Sequence, residues 1–66
     1  MMPEGNVKWY DKRKGYGFVV HEDHDIFIHY SGFVDMKFIP EDNDLISFDI
    51  VPGEKGLKAQ NITKVG

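Results

Sequence analysis

Lys14-Gly15-Tyr16-Gly17-Phe18-Val19 alternates rings with glycines, and Ile26-Phe27-Ile28-His29-Tyr30 answers it a few residues on. Both stretches read as β-strands, in which successive side chains point to opposite faces. Tyr16 and Phe18 then share one face, with Gly15, Gly17 and Val19 on the other. Phe27 and His29 share a face, opposite Ile26, Ile28 and Tyr30. If the valine and isoleucines build a core, Tyr16, Phe18, Phe27 and His29 are left in water beside the basic run Lys12-Arg13-Lys14. Wet rings do little for stability, but they offer flat surfaces on which unpaired nucleic-acid bases stack.

Working outward, the flanking segments supply more short strands. Glu4 to Tyr10 reads as a first strand and Lys14 to Val20 as the second, joined by the polar turn Asp11-Lys12-Arg13. Asp25 to Tyr30 is the third. Strict alternation would place Val7 and Trp9 on one face, so a buried Val7 and an exposed Trp9 require a bulge or strong twist between them. Ser31 to Asn43, broken by Gly32 and Pro40, has room for one short helical turn. Leu45 to Pro52 is a fourth strand, with Ile46, Phe48 and Ile50 alternating against Ser47, Asp49 and Val51. Pro52-Gly53-Glu54-Lys55-Gly56 is a turn, and Lys58 to Val65 is a last, imperfectly alternating strand. No segment has a helical period. Five short strands predict an all-β fold, a closed or nearly closed antiparallel barrel, because closure removes exposed edges.

The 66 residues make one domain, spanning 1–66, with material for one small core. With no cysteine there is neither a disulfide nor a thiolate, which suits a reducing cytoplasm. No leader peptide or long apolar run is read, so the expected location is cytoplasmic, with no membrane partner. Net charge is −3, but it is unevenly spread: +2 over residues 1–20, −7 over 21–52 and +2 over 53–66. Eight of the nine aromatic residues fall between Trp9 and Phe38, so rings and basic charge overlap early in the chain. This predicts one basic surface on an acidic body.

At these residues the chain resembles the cold-shock domain family. The likeness is carried by Gly5-Asn6-Val7-Lys8-Trp9-Tyr10, by Lys14 to Val19, by Asp25-Ile26-Phe27-Ile28-His29-Tyr30-Ser31 and by Gly56-Leu57-Lys58-Ala59-Gln60-Asn61-Ile62. It covers nearly the whole chain. The resemblance implies a five-stranded OB-type barrel that binds single-stranded RNA and DNA, with the role of an RNA chaperone affecting transcription and translation. Several positions depart from the family pattern. Tyr10, Tyr16 and Tyr30 stand where phenylalanine is more usual, Asp11 for asparagine and Leu57 for proline. Asp35-Met36-Lys37-Phe38-Ile39 replaces a Gly-Phe-Lys-Thr-Leu pattern, so either Met36 or Phe38 takes the outermost aromatic position.

The expected site is a stacking platform of Trp9, Tyr16, Phe18, Phe27, His29 and Tyr30. Lys8, Lys12, Arg13, Lys14 and Lys58 would meet phosphates or base edges, and the matching motifs add Asp25 and Phe38. Tyr10 and Phe33 read as packing. The expected partners are single-stranded RNA and DNA, bound by a monomer, with no cofactor, metal or small-molecule substrate. Three rival readings are weaker. Lys14 to Val19 also satisfies the ribonucleoprotein motif of RNA-recognition domains, but those need two helices that this chain has no room for. His21, His24 and His29 among Glu22, Asp23 and Asp25 suggest zinc, yet two lie in an acidic loop and one in the ring row. A protein partner on the aromatic face is the third. No nucleophile–base constellation is present, so an enzyme is not expected.

Overall fold

A computed structural model describes residues 2–65. Five strands appear in it: β1 (Glu4–Asp11), β2 (Tyr16–His21), β3 (His24–His29), β4 (Leu45–Gly53) and β5 (Gly56–Lys64). One 3₁₀ turn, Tyr30–Gly32, follows β3. The strands close into a barrel in the order β1-β2-β3-β5-β4. Four seams are antiparallel. The fifth, between β3 and β5, is parallel at Phe27 and Lys58 and is extended by a bridge from Phe33 to Ile62. Parity forces this refinement of the antiparallel expectation. Directions cannot alternate all the way around a closed ring with an odd number of strands.

The core is Val7, Val19, Ile26, Ile28, Phe33, Ile46, Phe48, Ala59 and Ile62, with Tyr10, Phe38 and Ile50 packed against it. Alternation along β2, β3 and β4 puts these residues inside, as their sequence pattern predicts. β1 and β5 reach the same result through bulges. On β1, Val7 lies opposite Val19 but Trp9 lies opposite Phe18, so Lys8 is an extra residue. On β5 the register slips between the pairs Ser47–Thr63 and Asp49–Gln60. Asn61 sits in that slip with φ of 52° and donates from Nδ2 to Asp49 Oδ2 at 2.8 Å. Asparagine tolerates this left-handed backbone better than most residues. The slip lets Ala59 and Ile62 both face inward, which explains the imperfect alternation of β5.

At Gly17 the β1 backbone leaves no room for a side chain on β2. A Cβ there would stand 2.1 Å from the Trp9 carbonyl oxygen and 2.7 Å from Tyr10 Cα. Both are backbone atoms, so no side-chain rotation relieves the clash. Gly17→Ala should therefore destabilise the barrel by at least about 2–3 kcal/mol, as overpacking against rigid neighbours does. Denaturant melts read this directly, and a loss under about 1 kcal/mol would contradict the close approach.

Candidate nucleic-acid interface

The bulge at Lys8 and the alternation of β2 and β3 deliver rings to one outer face. Trp9 stands 5.7 Å from Tyr16 and 5.6 Å from Phe18, measured between ring centroids. Phe27 lies 5.9 Å from Tyr16 and 5.8 Å from Phe18. His29 continues the row 6.3 Å from Phe27, and Tyr30 ends it 4.4 Å from His29. Edge-on and tilted packing within the row covers part of each ring. Tyr16, Phe18, Phe27 and His29 are half-buried, while Trp9 is 38% and Tyr30 50% exposed.

Tyr30 corrects the alternation reading, which put it on the core side with Ile26 and Ile28. β3 ends at His29, and the 3₁₀ turn swings Tyr30 outward. Its ring lies over Gly15, where a Cβ would come within 2.5 Å of Tyr30 Cδ2. Gly15 has φ of 78° and lies outside β2, in the turn before it. The Tyr30 N–H also donates to the Gly15 carbonyl at 3.0 Å, locking the end of the row to the basic turn.

That turn is organised by Asp11. Its Oδ1 accepts from the Arg13 and Lys14 backbone N–H groups at 2.9 and 3.0 Å. The carboxylate thus serves the backbone, and Lys12, Arg13 and Lys14 project into water. They border a hollow of about 290 Å³ with Tyr30, Met36, Phe38 and Ile39. Phe38 is half-buried against the core, 5.6 Å from Phe33, whereas Met36 is 66% exposed. Tyr10 packs beneath them, 5.7 Å from Phe33. Burial raises its phenol pKa, and the nearby Asp11 and Tyr30 add to the effect.

A larger groove of about 680 Å³ runs along the ring row. Tyr16, Phe18, Phe27 and His29 line one side of it, and the β4–β5 hairpin supplies Lys55, Leu57 and Lys58. Asp25 also borders it. Lys8 Nζ is 3.0 Å from Asp25 Oδ2, so two expected site residues engage each other. Lys55 and Leu57 were not among the expected site residues. Lys55 lies in the turn Pro52–Gly56 and Leu57 in the matching closing motif, and neither signal says what the residue faces.

The three histidines go separate ways. His21 Nδ1 is 2.7 Å from the Glu4 carbonyl, and its ring meets Phe48 edge-on at 5.9 Å. His24 is exposed, and His29 belongs to the ring row. Among the described residues, no cluster of three His, Asp or Glu side chains is placed to hold a metal ion. No helix of the described residues is long and apolar enough to cross a membrane.

The family model of the 'Cold-shock' DNA-binding domain matches residues 3–65. The chain belongs to the cold-shock domain family. The Major cold shock protein of Micrococcus luteus is 42% identical over 67 residues, covering 97% of this chain and all of the relative. Cold shock protein CspB of Bacillus caldolyticus is 38% identical over 66 residues, with 97% of this chain and all of the relative covered. A solved structure of drosophila Unr CSD456 superposes with a TM-score of 0.81 at 20% identity. It covers all of this chain, which spans 27% of that one, and the likeness is one of fold. Cold-shock domains are nucleic-acid-binding and non-enzymatic.

The Lys8–Asp25 pair has both side chains about half exposed, and such pairs contribute about 0–1 kcal/mol. Asp25→Asn should accordingly shift folding stability by less than about 1 kcal/mol in denaturant melts. A larger loss would mean that the pair holds β1 against β3.

Proposed function

We propose that this cold-shock domain binds single-stranded RNA and DNA by stacking unpaired bases on its ring row, and that it acts as an ATP-independent RNA chaperone. The observation that carries the reading is the unbroken run of part-exposed rings from Trp9 to Tyr30, of which Tyr16, Phe18, Phe27 and His29 line an open groove. Stacking is worth about 1–3 kcal/mol per base and tolerates any sequence, since every base has a π-face. A protein that holds only unpaired bases draws a hairpin equilibrium toward its open form by mass action. Opened transcripts are the route by which it would influence transcription or translation. The domain acts as a monomer, with strands rather than small molecules as its partners.

Charge supports stacking as the larger contribution. The chain is net acidic, and Asp25 already holds one of the flanking lysines. Lys12, Arg13, Lys14, Lys55 and Lys58 remain for phosphates. Each phosphate neutralised on a single strand adds about 0.7 to the slope of log affinity against log salt. The slope should therefore stay below about 4. A steeper slope in salt titrations would transfer the main role from rings to cations.

Fluorescence titration of Trp9 with oligothymidine tests the reading, and quenching is the expected outcome. Phe18→Ala and Phe27→Ala should each weaken binding by about 1–3 kcal/mol while circular dichroism shows an intact barrel. Double-stranded DNA should bind far more weakly, because its bases are already stacked. Folded variants that bind as tightly as the parent would remove the rings from the site.

A further inference from the structure

His21 and His29 are held in opposite chemical states by what faces Nδ1. At His21 the neighbour is the Glu4 backbone carbonyl, which can only accept, so Nδ1 carries a hydrogen. At His29 the neighbour is the Ser31 backbone N–H, at 3.2 Å, which can only donate. Nδ1 of His29 must therefore present its lone pair. The Ser31 hydroxyl, 2.8 Å from the same nitrogen, donates to it as well. In a neutral imidazole the hydrogen then sits on Nε2. Among the described residues Nε2 has no hydrogen-bond partner, and His29 lines the groove.

One face of the ring is already taken. Tyr30 lies 4.4 Å away with the planes only 31° apart, so it covers one face of the imidazole. What His29 offers beyond that stack is an N–H in its own plane. We infer that Ser31 is a positioning residue that fixes His29 as a neutral hydrogen-bond donor, and that its Nε2–H recognises a carbonyl oxygen on a bound base. A neutral donor suits a neutral acceptor, while Lys55 and Lys58 in the same groove are the groups suited to phosphate. The inference rests on the single-strand reading above. It adds to the stacking role of His29 within it that of a reader of base edges.

The test uses the full chain, ¹⁵N-labelled, with oligothymidine as the probe. Long-range imidazole spectra of the free protein should show Nε2 protonated and Nδ1 bare at His29. At His21, Nδ1 should carry the hydrogen. Adding oligothymidine should slow exchange of the His29 Nε2–H until its resonance is seen. His29→Phe keeps a ring and deletes the donor, and affinity should fall about three- to tenfold, the worth of one neutral hydrogen bond. Ser31→Ala deletes the hydroxyl but keeps the backbone N–H, so Nδ1 of His29 should stay bare while looser seating of the ring weakens binding about twofold, and Ser31→Thr should restore the affinity.

Equal affinity of His29→Phe and the parent overturns the inference, as does a protonated Nδ1 at His29. An oligomer of 2,4-difluorotoluene deoxyriboside separates the two oxygen sources, since it keeps the flat ring and the phosphates but carries fluorine in place of both carbonyl oxygens. Loss of the protected Nε2–H with that probe supports the base carbonyl, and its persistence assigns the bond to phosphate and overturns the carbonyl. Trp9 quenching in the parent distinguishes the two failures. Quenching with a failed donor test sinks the base-edge role of His29 alone, and absence of quenching sinks the stacking site as well.

Discussion

A β-strand can turn a valine into the core and a tryptophan into water two positions later only if an extra residue stands between them. Lys8 is that residue. Without the slip, Trp9 would point into an interior already filled by Val7, Val19 and Phe48, or the whole of β1 would invert. With it, the first half of β1 serves the core and the second half serves the ring face. The bulge also sets Lys8 on the outer surface, within reach of Asp25 across β2. The close contact at Gly17 follows from the same geometry. A strongly bent β1 brings its Trp9 carbonyl down onto β2, where only hydrogen fits.

Ring exposure in this barrel is a compromise between packing and availability. The rings support one another at centroid distances of 4.4–6.3 Å, which limits how much of each meets water. Tilted and edge-on aromatic pairs are mildly favourable beyond their burial. The row is therefore partly preorganised, and a strand that docks on it need not first order loose side chains. Tyr30, outside the strand, is held by its backbone bond to Gly15 and by its ring on the glycine surface.

Charge is segregated in the same way. The acidic middle of the chain contributes much of the body, while cations gather at the two ends of the ring face. Glu54 lines the groove from the β4–β5 turn. The other two acids at this face, Asp11 and Asp25, are both engaged. One caps the backbone of the basic turn and the other pairs with Lys8. Repulsion of a polyanion by the body leaves little room for binding through charge alone.

Much of the fold was legible because strand alternation is local. Tyr16 and Phe18 against Val19, or Phe27 and His29 against Ile26 and Ile28, can be read without knowing any partner strand. The bulge at Lys8 was legible as a contradiction between the wanted positions of Val7 and Trp9. Other features depend on contacts between residues far apart in the chain. The parallel seam of β3 and β5 arises only when five strands close, and the same closure carries Lys55 and Leu57 to the ring groove. Tyr30 escaped its alternation because the strand stops one residue early, where packing on Gly15 outweighs another ladder position. The periodic spacing of side chains thus determined which residues face in or out. Barrel closure alone decided which of the outward ones meet, because register between distant strands is set by the whole packed core.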